Sequence, residues 1–428
     1  MLRLLGGLIV YVSTLYCGPA ARTGKGRGKE GGGLYPELAA LGFREGSSSA
    51  LISLVGRQCA LLPSYEVARQ ELADRGTSLD IKVVHGTAKR LGAEALTART
   101  RDLLRWRAGQ LPAGRELAGK RVVAQMDGGR VRQRRVTRRQ KGRGKNKRQR
   151  RRWKAEWREP KVLIIYEADE QGRMKSGTRP WIDGTFGGPD EVLELLAYHL
   201  HRLGAASASS VTFVADGAPW IWERLDWVVG RVGVSPEKVR RVLDWCHAVH
   251  NMGLALTALG LDKEERVELS RKLRRWLRRG CPGLVVEELE RQGEARGDPE
   301  GLAQPLGYLR KHMEAGHLAY GRFRREGVPL GSGAVESAIR RVVNLRLKGP
   351  GLQWLGENAE GALVLRAAAL SGRWEETMAW VGEAMSQNRQ LGWEWRSPDM
   401  AAELKSGVPI KPPKAQKASG QGDGEKAA

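Results

Sequence analysis

The chain has 428 residues, more than one hydrophobic core usually serves, so two or three domains are expected. Its 73 Lys and Arg against 48 Asp and Glu give a formal net charge of +25 and a pI near 10.3, which points to a polyanionic partner, nucleic acid foremost. No stretch of eighteen apolar residues is present to span a bilayer. Four dispersed cysteines (Cys17, Cys59, Cys246, Cys281) without a C-x-x-C suggest neither a zinc site nor a disulfide framework, so a cytoplasmic location is expected.

A short apolar run at 4–12, behind Arg3 and ahead of the small residues Gly18, Ala20 and Ala21, has the length of a secretory h-region; a buried strand is the alternative. A Gly/Lys/Arg-rich stretch at 23–33 follows, and residues 1–45 are set apart as a divergent basic terminus. Helical periodicity begins behind the cap candidates Ser47, Ser48 and Ser49, with Leu51, Leu54, Val55, Cys59 and Leu62 on one face until Pro63 stops it. Ser64 heads a second helix with Tyr65, Ala68 and Leu72 inward. Ser78 heads a third, over 79–91, with Ile81, Val84, His85, Ala88 and Leu91 inward. This three-helix unit, within 46–115, leaves Lys82, Lys89 and Arg90 outside, as a major-groove recognition helix would; an ordinary bundle with a solvated face carries the same pattern.

From Lys120 short apolar runs replace the helical period. Val122, Val123 and Met126 lead into Asp127, Gly128 and Gly129; strands at 162–166 and 211–214 follow, and one through Val239, Val242 and Leu243 runs into Asp244. An amphipathic helix is expected at 189–203. Residues 116–254 therefore read as the first part of a mixed α/β domain, 255–330 as a helical insertion, 331–385 as a helix carrying Glu336 plus the end of the core, and 386–428 as a largely disordered tail.

Residues 130–158 hold sixteen Lys or Arg and one acid, Glu156, directly after Asp127. Such density seeks phosphate, and its position suggests a hairpin overhanging any site built there, with Arg148, Arg150, Arg151 and Arg152 as expected contacts. The stretch 269–279 is also basic around an apolar face of Leu269, Leu273, Trp276 and Leu277, and reads equally as solvated surface.

Three acids stand where chemistry is possible: Asp127 at a strand end, Asp216 after a strand, and Glu336 opening a helix behind Gly331, Ser332 and Gly333. In-line attack on a phosphodiester needs charge neutralised on the attacking and leaving oxygens, which two hard cations about 4 Å apart held by carboxylates can supply. Each acid alone is ambiguous, because Asp-Gly, present at Asp127, Asp183 and Asp216, is a common turn and a first-turn Glu suits the helix dipole.

Taken together, the segments 33–38 (GLYPEL), 126–129 (MDGG), 157–161 (WREPK), 214–222 (VADGAPWIW), 243–249 (LDWCHAV), 331–337 (GSGAVES), 346–351 (RLKGPG) and 370–374 (LSGRW) resemble the DDE transposases of bacterial insertion sequences, the ISKra group in particular. The resemblance covers roughly residues 33–380 and implies an α/β ribonuclease-H-like catalytic domain with a helical insertion, preceded by a helical DNA-binding unit. It implies that Asp127, Asp216 and Glu336 form the catalytic triad and bind two Mg²⁺ or Mn²⁺ ions. Asp244 and His247 are similar to the D-x-x-H signature of Mutator-like enzymes and are expected in support; a helix cap and a satisfied core histidine are the alternative. Arg340, Arg341, Arg346 and Lys348 are expected DNA contacts; Trp354 could stack on a flipped base, although a Trp is more often part of the core.

The implied partners are double-stranded terminal repeats and target DNA, bound by a homodimer or higher oligomer in a bacterial, nucleoid-associated setting. Alternatives are a nuclease on the same fold and a non-catalytic DNA-binding descendant.

Overall fold

The computed structural model describes residues 1–14, 35–44, 46–140, 150–297, 299–349 and 351–390. Contacts divide the chain into Met1–Ala384 and Met385–Ala428, the boundary falling within the helix Trp374–Gln390. Cys17, the stretch 23–33 and the tail from 391 lie outside the described residues.

The apolar run near the start is not a buried strand. Leu2–Arg3 (β1) pairs with Ile9–Val10 (β2) because Gly6 and Gly7, both at φ near +76°, turn the chain back between them. Leu5, Leu8, Ile9 and Tyr11 stay exposed.

The three expected helices form. Ser48 caps Ser49–Leu61 and Ser64 caps Tyr65–Asp74, each side chain accepting the backbone N–H three residues on. The third is capped by Asp80 rather than Ser78, and runs over Ile81–Arg107, far beyond the expected stop at Leu91. Leu51, Val55, Cys59, Ala68, Leu72, Leu79, Val84 and Ala88 close a small core, while His85, expected inward, is exposed against the edge of Tyr65. The long helix continues because Gly92 is a crossing point, not an end: a Cβ there would lie 3.0 Å from the Cα of Gly361 on the helix Gly356–Leu370. The helical unit is thereby packed onto the rest of the molecule.

The central layer is a five-stranded mixed sheet. Its strands are Arg121–Gly128 (β3), Lys161–Glu167 (β6), Trp181–Thr185 (β7), Ser210–Ala215 (β8) and Val239–Leu243 (β9), in the order β7-β6-β3-β8-β9. β6 runs antiparallel to both β3 and β7, whereas β8 is parallel to β3 and β9 to β8. Val162 to Tyr166 are buried without alternation, as a strand covered on both faces requires. The helix Pro189–Leu203, entered on Pro189 and ended on left-handed Gly204, packs on β6 and β7. Between β3 and β6 the basic segment forms a separate two-stranded hairpin, Val131–Gln140 (β4) with Arg150–Arg158 (β5). The insertion is helical as expected, in Lys263–Arg279, Pro282–Glu294, Ala303–Glu314 and Tyr320–Arg325. No described helix is long and apolar enough to cross a membrane.

β7 has no counterpart among the expected strands, because Asp183-Gly184 reads as a turn. Instead Asp183 lies buried mid-strand, held by Arg99 at 3.2 Å, by His199 Nε2 at 2.8 Å and by the Gly184 N–H at 2.7 Å. Arg99 also meets Glu360 at 2.7 Å. Asp183→Ala leaves buried Arg99 with Glu360 as its remaining acid and takes the acceptor from buried His199, so it is expected to lower the unfolding free energy by about 3 kcal/mol, measured by urea titration.

Candidate active site

Asp127 stands at the end of β3 and Asp216 directly after β8, its parallel neighbour, so both carboxylates emerge at one end of adjacent strands. Gly128 N–H binds Asp127 Oδ1 at 2.6 Å, and Ala218 N–H binds Asp216 Oδ1 at 3.1 Å. Glu336 comes from the short helix Gly333–Ile339, which packs on β3 and β6 and continues into a π-helical turn at Arg340–Asn344. Such π turns are frequent at functional sites.

The charges of these acids bear on one another. Burial raises the Asp127 carboxyl above its ordinary value, and repulsion from Asp216 and Glu336 adds to this against the pull of Gly128 N–H and His247. His247 is shifted upward by its hydrogen bond to Asp244 and by the charges of Asp244, Asp216 and Asp127. The donor set is carboxylate oxygen, the chemistry of Mg²⁺ or Mn²⁺, and a cation would relieve the repulsion that lifts Asp127. Among the described residues, however, no group of three or more His, Cys, Asp or Glu is arranged to hold a metal ion, so the donors fit in kind but stand apart.

Asp244 has a structural part. It caps the helix Trp245–Ala258 from the end of β9, is buried, and takes four donors: His247 N–H at 3.0 Å and ring Nδ1 at 3.1 Å on Oδ1, Ser332 N–H at 2.6 Å and Oγ at 2.9 Å on Oδ2. Burial opposes its ionisation, yet those hydrogen bonds outweigh it and hold the carboxyl at about 2. Ser332 Oγ also lies 3.1 Å from Glu336 Oε1, so its one proton serves either acid.

Gln125 carries a role not read from the sequence. Two residues before Asp127 and on the same face of β3, it donates to Gly331 O at 3.1 Å and accepts Val335 N–H at 3.1 Å, tying the loop and helix of Glu336 to the strand of Asp127. A lone buried amide in an otherwise apolar strand was the available signal. The quoted motifs also meet here. A side chain on Gly128 would strike the Glu159 carboxylate, Glu159 pairs with Lys161 at 3.1 Å, and Lys161 lies 4.8 Å over the Trp220 ring.

The insertion docks behind Asp216. Trp222 donates its Nε1–H to Asp216 O at 2.6 Å and stacks on His317 at 4.1 Å; His317 Nδ1 is 2.9 Å from His312 Nδ1. Burial pushes both imidazoles down to about 4. Because the unfolded chain protonates first, near 6.5, stability from these neutral rings is full above that value and is lost as pH falls through 4. Buried His199 is shifted the same way. The urea midpoint is therefore expected to drop between pH 7 and pH 5, and a midpoint that rises instead would contradict a neutral pair.

The remaining expected contacts divide. Lys82, Lys89, Arg340 and Lys348 are exposed, and Arg90 and Arg341 half-buried. Arg148 lies outside the described residues, as do the side chains of Arg150, Arg151 and Arg152. Arg346 and Trp354 are corrections: both are buried, Arg346 donating to Cys59 O between the rings of Tyr65 and Trp354, and Trp354 donating to Leu347 O. Neither offers a face to a ligand. On the hairpin, Trp153 and Trp157 are exposed, with Arg134 4.5 Å and Arg132 5.3 Å from their rings.

Comparison with protein-family models, with curated proteins and with solved structures finds no match.

Proposed function

We propose that the chain is a DDE transposase of the insertion-sequence kind, cleaving the ends of its element and joining them to target DNA. The observation that carries this reading is the placement of Asp127 and Asp216 at the same end of adjacent parallel strands, with Glu336 on a helix packed against the first of those strands. The sheet order supports a ribonuclease-H-like core: three antiparallel strands, with two parallel strands added beside the first.

Asp127, Asp216 and Glu336 would hold Mg²⁺ or Mn²⁺, drawn closer than they stand here. When bound, two such ions neutralise charge on the attacking and leaving oxygens of an in-line displacement. The chain's own groups orient the rest. Gln125 and Asp244 fix the Glu336 loop to β3 and β9, and His247, held by Asp244, has its imidazole raised in pKa by that hydrogen bond and by the nearby acids. The hairpin offers guanidinium groups for phosphate and two exposed indoles for bases or sugars. Lys82 and Lys89 stand outward on the third helix for duplex recognition.

The test is incubation of the full chain with Mg²⁺ and duplexes bearing the inverted repeats that flank its gene. Cleaved ends joined to a second duplex support the reading. Cleavage without joining indicates a nuclease, and DNA binding without metal-dependent cleavage a non-catalytic binder.

A further inference from the structure

A trough runs between the helices Trp245–Ala258 and Lys263–Arg279, and its two walls differ in character. One presents Arg266, Arg271 and Arg274, all exposed, and among the described residues none of them is paired with a carboxylate. The other is formed by Trp245, Val249 and Leu254 with exposed His250 among them, while Val267 stands beside Arg266 on the arginine helix; Leu254 and Val267 are 46% and 42% exposed. At one end lies Cys246, in the first turn of the helix that Asp244 caps and one residue before His247.

We propose that this trough holds an unpaired DNA strand leaving the carboxylates, its phosphates on the three arginines and its bases on the apolar wall. The inference rests on the reading of the chain as a DNA-cleaving enzyme. Arg266 and Arg274 lie two turns apart on one helix face, about 12 Å along the axis, which spreads their charge along a strand instead of gathering it on one anion. A groove between two neighbouring helices is narrower than a whole duplex, whose major groove alone is roughly 12 Å wide, so a duplex can only rest across its rim. In a duplex, moreover, base faces are stacked away, and a wall of exposed Leu254 beside half-buried Trp245 and Val249 gains contact only with unstacked bases. An apolar peptide would match that wall and leave three guanidinium groups unanswered. A strand with one phosphate per base answers both walls.

The probe is a short fluorescein-labelled oligothymidylate, compared with a duplex of equal length, both in EDTA so that nothing is cut. For the triple variant Arg266→Ala, Arg271→Ala, Arg274→Ala, loss of three phosphate contacts is expected to reduce the slope of log K against log salt by about 2 on the single strand and to weaken its binding at least roughly tenfold. Binding of the duplex changes far less. A thermal melt of the variant matching that of the wild type confirms the fold, since all three side chains are on the surface. In the wild type, the oligothymidylate should slow alkylation of exposed Cys246 and leave exposed Cys281 untouched. Equal losses on strand and duplex, or alkylation of Cys246 unaffected by saturating oligothymidylate, overturn the trough as a strand channel. Wild-type protein that binds neither DNA overturns the underlying reading instead.

Discussion

Asp127→Asn is expected to abolish strand cleavage while making the metal-free fold slightly more stable. The carboxyl of Asp127 lies above its ordinary value, raised by burial and then by Asp216 and Glu336. The folded protein therefore holds that proton more tightly than the unfolded chain, and the favourable contribution is lost as pH rises through the folded value; at pH 7 the ionised group opposes folding. An amide removes the charge and nearly keeps the shape. Cleavage, by contrast, loses a ligand to charge-neutralising ions, several kcal/mol of transition-state stabilisation, or about a thousandfold in rate at 1.36 kcal/mol per decade. Asp216→Asn and Glu336→Gln should cost cleavage equally and also lower the Asp127 titration point by removing repulsion. Three measurements decide it: a gel shift, a cleavage time course in Mg²⁺ and a thermal melt. Near-wild-type cleavage by any one variant removes that acid from the site. A fall in melting temperature for Asp127→Asn would show that its carboxylate serves the fold.

The strands that hold these acids were legible because their chemistry is local. Val122 to Met126, 162–166 and 211–214 are short apolar runs bounded by turn residues, and all three lie in the sheet. Where the reading failed, a partner distant in sequence decides the conformation. Asp183-Gly184 is a turn by local statistics but a strand centre in the molecule, because Arg99, 84 positions earlier, and His199 satisfy its charge. The third helix outruns its expected end because Gly92 packs on Gly361. Arg346 and Trp354 look like ligand contacts in sequence, yet the backbone carbonyls of Cys59 and Leu347 claim their donors inside the protein. Gln125 and Ser332 could be placed only once the loop 331–333 was seen against β3 and β9. The acids give separate strand-end and helix-start signals; that Asp127 and Asp216 share one end of adjacent strands is a property of the sheet.

Asp244→Asn should give the opposite signature to Asp127→Asn: a weaker fold with the acidic cluster still present. Held at about 2 against an ordinary 3.8, this carboxyl contributes stability that is complete above the ordinary value and lost as pH falls through the folded one. The shift corresponds to roughly 2 kcal/mol at neutral pH. An amide keeps one acceptor oxygen and sets an NH₂ against a donor, so either the Ser332 N–H or the His247 N–H loses its partner in the interior. Two further effects follow from the same contacts. The His247 ring loses the Asp244 charge whichever way the amide turns, so its titration, followed by NMR, should move back toward the ordinary histidine value. Ser332 is held to β9 more weakly and its hydroxyl proton is drawn more to Glu336; cleavage should slow by less than in the Asp216 variant. Should Asp244→Asn leave stability and the His247 titration unchanged yet stop cleavage as completely as Asp216→Asn, Asp244 would belong among the ion-binding acids, and its hydrogen bonds to Ser332 and His247 would have to break for catalysis.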